Sequence, residues 1–140
     1  MASASTAKFS AAERAAMKER ARELKGEQNR AANEAGVLEK IAAMNPVDRK
    51  IAEGVHSIVQ KVAPQLETKT WYGMQAYFKD GKVVVFFQDA GKFQTRYCTL
   101  GFQDAANLDD GSMWPTSFAV VSLDKATEKR IADLVRQAAS

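Results

Sequence analysis

Asp104, Asp109 and Asp110 fall within one short stretch of the chain. Carboxylates this close together could supply the hard oxygen ligands that a labile, exchangeable metal ion prefers. Asp109-Asp110-Gly111 also has the composition of a plain solvated turn, and that reading stands beside the metal one. A second group is aromatic. Trp71, Tyr72 and Tyr77 surround Gly73 and Met74, and glycine allows a ligand to approach the backbone closely. The alternative is a strand with a bulge at Gly73 and aromatic rings that pack a core. Lys92 and Arg96, next to Tyr97, could give such a groove a positive rim for an anion, or could face solvent on their long stems.

Nucleophilic chemistry finds little support. The chain has one histidine, His56, and one cysteine, Cys98. A Ser-His-Asp triad or a Cys-His pair would have to use His56, and no nucleophile-elbow spacing accompanies it. His56 sits one position from the apolar stripe at Val55, where a boundary histidine is the simpler reading, and a lone histidine makes no metal motif. Cys98, between Tyr97 and Thr99, reads as a small buried hydrophobe. No Gly-rich phosphate cradle is present. The chain is therefore expected to be a binding module, not an enzyme.

The elements that would position these residues follow from periodicity. Ser10 and Glu13 have capping-box spacing, so a helix should start there and run to about Lys25. Its apolar side is thin, with Met17, Ala21 and Leu24. A basic ridge of Arg14, Lys18 and Arg22 lies beside an acidic ridge of Glu19, Glu23 and Glu27. Gly26 to Ala35 reads as a flexible linker, giving a helical extension over 1–35 and a domain over 36–140. A short helix is predicted over Val37 to Met44. A second follows the Asn45-Pro46 cap, with Val47, Ile51, Val55, Ile58, Val59 and Val62 on one face, and ends at Ala63-Pro64.

After Pro64 the pattern becomes strand-like: Thr68 to Met74, Ala76 to Lys79, Lys82 to Gln88, Lys92 to Phe102 and Ser117 to Ser122. Asp80-Gly81 suits a two-residue type I′ hairpin, and Asp89 to Gly91 is expected to make the next one. Asp104 to Leu108 suggests a helical turn. Asp124 can cap a last helix carrying Ile131, Leu134, Val135 and Ala138. The predicted fold class is α+β: one antiparallel sheet of about five strands with flanking helices, plus the N-terminal helical extension.

Composition sets outer bounds. With 140 residues the chain is sized for one core, and 46% hydrophobic with 26% charged residues is ordinary for a globular protein. A net charge of +3 is basic. Acids are nevertheless mixed among the bases throughout, so nucleic acid is a disfavoured partner. The extension is better suited to docking on its own domain, on a second copy as a homodimer, or on another protein. A single cysteine fits a reducing compartment. No leader-like or bilayer-spanning apolar run is apparent, so a cytoplasmic location without membrane association is expected.

The run Thr70-Trp71-Tyr72-Gly73-Met74-Gln75-Ala76-Tyr77, followed by Gly81-Lys82 and an aromatic strand, resembles the signature of the YdhG-like domain family. Val62-Ala63-Pro64, Lys92-Phe93 and the closing helix near Ile131 fall where that family has them, so the resemblance covers roughly 37–139. The longer form is similar to an actinobacterial-type subgroup, through Glu13-Arg14-Ala15-Ala16-Met17-Lys18-Glu19-Arg20 and Asn107-Leu108-Asp109-Asp110-Gly111-Ser112-Met113-Trp114-Pro115. Gln75 stands where the family usually has proline, which leaves the turn after Met74 less rigid. The resemblance implies an antiparallel sheet with flanking helices. Because some family members are labelled frataxin-like iron chaperones, it also implies iron as the metal for Asp104, Asp109 and Asp110.

Overall fold

The first helix begins on the capping box that its sequence encodes. Glu13 N–H donates to Ser10 Oγ and the Ser10 hydroxyl donates to Glu13 Oε1, both at 3.1 Å. In the computed structural model, which describes residues 9–140, this helix (α1) spans Ala11–Ala42. The expected linker from Gly26 to Ala35 and the separate short helix from Val37 are thus parts of one helix. A glycine in a helix costs only about 1 kcal/mol, and the alanines and arginine that follow favour helix, so local composition did not force a break. Val37 and Ile41 also bury on the core and hold its last turns.

The chain divides after Ala32 into two compact units, Met1–Ala32 and Asn33–Ser140. The described residues of the first include the start of α1, on which Met17 and Leu24 are exposed. The second unit holds the sheet. There α2 (Pro46–Val62) starts at Asn45, whose side chain accepts from Asp48 N–H at 2.9 Å, with Pro46 in the first turn. Then come β1 (Glu67–Trp71), β2 (Met74–Lys79), β3 (Lys82–Gln88), a single turn α3 (Ala90–Phe93), β4 (Cys98–Phe102), β5 (Ser117–Val120) and α4 (Lys125–Ala138).

Every neighbouring pair in the sheet is antiparallel, and spatial order equals chain order, β1-β2-β3-β4-β5. Two hairpins are closed by two-residue loops with both residues at positive φ: Asp80 and Gly81, as predicted, and also Tyr72 and Gly73. Gly73 is therefore the tip of a turn between two strands. It is not a bulge inside one, and the expected single strand from Thr68 to Met74 is split there. The bulge lies elsewhere, where the β2 and β3 register shifts between Tyr77 and Phe78.

Asp89 to Gly91 makes no tight hairpin. Asp89 caps α3 by accepting from Lys92 N–H at 3.2 Å, and Gln94 ends it in the left-handed region. The strand expected from Lys92 accordingly starts only at Cys98.

One sheet face is dry. Tyr77 pairs with Val85, Phe87 with Leu100 and Cys98 with Val120, so these side chains share the face covered by α2 and α4. The opposite face alternates large and small residues. Trp71 packs on Phe86 with ring centroids 5.2 Å apart, above fully buried Ala76. A Cβ on Gly101 would collide with the Phe86 ring, which is why that strand position is glycine.

Candidate functional site

The predicted groove residues do not share one wall. Trp71 lies on the outer sheet face, Tyr77 is fully buried on the inner one, and Tyr72 stands 83% exposed at its turn. Met74 is half-buried, and Arg96 stacks on Tyr97 at 5.6 Å. Gly73 and Lys92 do come together: a Cβ on Gly73 would lie 3.0 Å from Lys92 Nζ. Asp104, Asp109 and Asp110 are all exposed. Among the described residues, no three His, Cys, Asp or Glu side chains form a group that could hold a metal ion.

Gly73 and Lys92 belong to a cleft of about 470 Å³ that the sequence did not reveal as a unit. Lys40, Ala43 and Met44 enter from the end of α1, Asn45 from the α2 cap, Gly73 from the β1–β2 turn, and Asp89, Gly91 and Lys92 from α3. Lys40 occupies the last turn of α1, where a cation suits the negative end of the helix dipole. Lys92 Nζ lies 5.5 Å from the Phe93 ring centroid. Asp89 commits one oxygen to the Lys92 backbone, so the residues lining the cleft include two lysines and one aspartate whose carboxylate is partly engaged.

Behind this wall sits a carboxylate that is only 4% exposed, Asp48. It accepts from Asn45 Nδ2 at 2.9 Å, from Gly91 N–H at 2.8 Å and from the Cys98 thiol at 3.3 Å. Buried charge is tolerated because three donors converge on it. Gly91 is required by this approach, since a Cβ there would lie 2.7 Å from Asn45 Nδ2. Asn45-Pro46 was legible as a helix start, but nothing there singled out Asp48. The tie of Asp48 to Cys98, fifty positions on, left no mark in the sequence.

Burial pushes the Cys98 thiol up to about 11, and the neighbouring carboxylates of Asp48 and Asp89 push the same way. Cys98 should thus remain a protonated donor at neutral pH. Ellman's reagent is expected to react with the native protein at least about 100-fold more slowly than with protein unfolded in urea, because thiolate and access are both lacking. Equal rates in the two states would refute that assignment.

A second polar chain crosses the core side of the sheet. Gln75 Nε2 donates to Ala52 C=O at 3.1 Å and to the Tyr77 hydroxyl oxygen at 2.8 Å. Tyr77 OH meets His56 Nδ1 at 2.9 Å, and His56 Nε2 lies 3.6 Å from Glu34 Oε1. With Gln75 donating to it, the Tyr77 oxygen is best satisfied by donating its own proton to a neutral His56. Burial lowers the His56 pKa, against the opposing pull of Glu34. Gln75 Oε1 has no hydrogen-bond partner, although Gln75 is fully buried.

No helix among the described residues is long and apolar enough to cross a membrane. No protein-family model, curated protein or solved structure matches the sequence.

Proposed function

We propose that the 33–140 unit is a non-catalytic binding module whose ligand is a small anion, a carboxylate or phosphate ester, held in the cleft between Lys40 and Lys92. The observation that carries this reading is the convergence of those two lysines, from elements far apart in sequence, on a concave surface of about 470 Å³. That volume lies in the usual range for small-molecule sites, and charged groups on a concave wall concentrate counter-charge. The side chains best suited to act as nucleophile or base, Cys98 and His56, are both engaged with internal partners, which supports binding over catalysis. The iron role implied by the YdhG-like resemblance lacks comparable support, because its three aspartates remain exposed and ungrouped.

Titration with inorganic phosphate and with citrate, followed by amide chemical shifts, is the direct test. Saturable shifts are expected at Gly73, Gly91 and Lys92, with a dissociation constant of about 0.1–1 mM that weakens as salt is added. Lys92→Ala and Lys40→Ala should each weaken binding about 3- to 10-fold, and the double variant should abolish it. Unsaturable shifts scattered over all lysines, or full binding by the double variant, would exclude the cleft.

A further inference from the structure

Acidic and basic residues are equal in number across the 33–140 unit, but not along the seam between α2 and α4. Two clefts follow one another there, of about 620 and about 480 Å³, and they share Gly54 and Glu128. They therefore form one groove. Its floor is apolar and only half-buried, with Gly54, Ile58 and Val62 on the α2 side and Leu123 and Ala132 on the α4 side. A Cβ on Gly54 would collide with the Leu123 side chain, so glycine is what seats Leu123 against α2.

The two clefts differ in character. In the larger one, Val47 and Val121 are 67% and 69% exposed, and the charges are mixed, Lys50 from α2 with Asp124 and Glu128 from the start of α4. In the smaller one, Lys61, Lys125, Lys129 and Arg136 stand against Glu128 alone. Asp133 reaches Lys129 at 3.7 Å and Arg136 at 3.1 Å from outside the groove, in exposed pairs of the kind that hold weakly. Lys61 and Lys125 have no ion-pair partner among the described residues. Lys125 is also the first residue of α4, where a cation opposes the helix dipole, so local helix stability does not account for it.

We infer that this groove docks an acidic amphipathic helix of a partner protein, with its apolar side chains at the Val47 and Val121 end and its carboxylates along Lys61, Lys125 and Lys129. The groove follows α2 from Val47 to Val62, about 22 Å at the helical rise, which suits a partner segment of about 15 residues. Apolar residues three and four apart on such a segment reach the floor, and those beside them bring acids to the rim. The opposite signs steer the encounter, and the apolar floor holds it. A nucleic acid fits less well. Its backbone is charged along its whole length, so it would meet Asp124 and Glu128 as well as the lysines and would leave the apolar floor uncovered. A lipid surface is flat on this scale and would leave the recessed floor empty. The groove shares no residue with the Lys40 and Lys92 cleft, so the two sites can be tested separately.

Fluorescence anisotropy of the full chain with a labelled peptide of about that length tests this, the peptide having leucines on one helical face and glutamates beside them in its second half. Saturable binding is expected with a dissociation constant of about 10–100 μM at low salt. A peptide of the same composition with its leucines scattered off that face should bind at least about 10-fold more weakly. Lys61→Glu with Lys129→Glu should weaken the amphipathic peptide at least about 10-fold and should prefer its counterpart carrying lysine for glutamate. Val47→Ser with Val121→Ser, both at exposed positions, should weaken it about 3- to 10-fold with an unchanged circular dichroism spectrum. Lys40→Ala with Lys92→Ala should leave it unaffected. No saturation up to about 1 mM, equal binding of the scattered peptide, indifference to either the Lys61 and Lys129 or the Val47 and Val121 pair, loss of binding in the Lys40 and Lys92 variant, or tighter binding of oligothymidylate or of phosphatidylglycerol vesicles would overturn the inference.

Discussion

Replacing Asp48 with alanine is expected to lower folding stability by about 3–4 kcal/mol, read from urea midpoints at constant slope. The carboxylate is the point at which three separate pieces of chain are tied. Asn45 belongs to the α2 cap, Gly91 to α3, and Cys98 to β4. Each bond to a charged acceptor contributes about 1.5–3 kcal/mol in isolation, less than additively in a cluster. Truncation also strands the Cys98 thiol in a position that water does not reach. Asp48→Asn keeps the volume and one acceptor oxygen but forces an N–H towards a donor, so about half the loss is expected. In Asp48→Ala, Cys98→Ala should add little further cost, whereas the two single losses should sum to more than the double. A loss below about 1 kcal/mol for Asp48→Ala would mean that the cluster does not hold these elements together.

Most of the architecture was legible because local signals and tertiary needs agree. Asp80-Gly81, Asn45-Pro46 and the apolar stripe of α2 from Ile51 onward each have one reading, and the structure adopts it, although Val47, expected on the same face, is 67% exposed. Misreadings arose where the fold overrode the more obvious local reading. Tyr72-Gly73 adopts the same positive-φ turn as Asp80-Gly81, but tyrosine lacks the short polar side chain that favours this conformation, so Thr68 to Met74 looked like one strand. Lys92 to Phe102 is aromatic and β-prone, yet Asp89 captures Lys92 N–H and turns the chain into α3 first.

The candidate site was less legible than the fold, for a geometric reason. Trp71, Tyr72 and Tyr77 look like one group in sequence. Turn and pleat send them to the outer face, the hairpin tip and the inner face. Lys40 and Lys92 show nothing of their proximity in sequence, since it depends on where α1 ends relative to the β1–β2 turn. Gly73 and Lys92 do adjoin each other, but with neighbours other than those expected.

The buried amide of Gln75 provides the second large effect. Gln75→Glu replaces a neutral side chain by an isosteric acid in the same dry position, where one oxygen already lacks a donor. A carboxylate there would lose hydration without compensation, so the acid should fold in its protonated form, with its pKa raised well above the unfolded value of about 4.3. The sign follows from linkage. The folded state holds a proton that the unfolded state has released, so the variant's stability is fully present below about pH 4.3 and falls as pH rises towards the folded pKa. Each pH unit costs up to about 1.36 kcal/mol, which amounts to about 4 kcal/mol between pH 4.5 and 7.5. The His56 contribution in wild type runs in the opposite direction, because burial lowers its folded pKa below the ordinary 6.5, so the unfolded state takes up a proton first as pH falls. That same histidine, reached through Tyr77, is the neighbour whose protonation could offset the charge of the introduced carboxylate. The comparison is therefore made in a His56→Gln background as well, where the full loss should emerge. Urea titrations of Gln75→Glu that run parallel to wild type from pH 4.5 to 7.5 in both backgrounds would show that water reaches this amide, and would remove the claim that the core face around Tyr77 is dry.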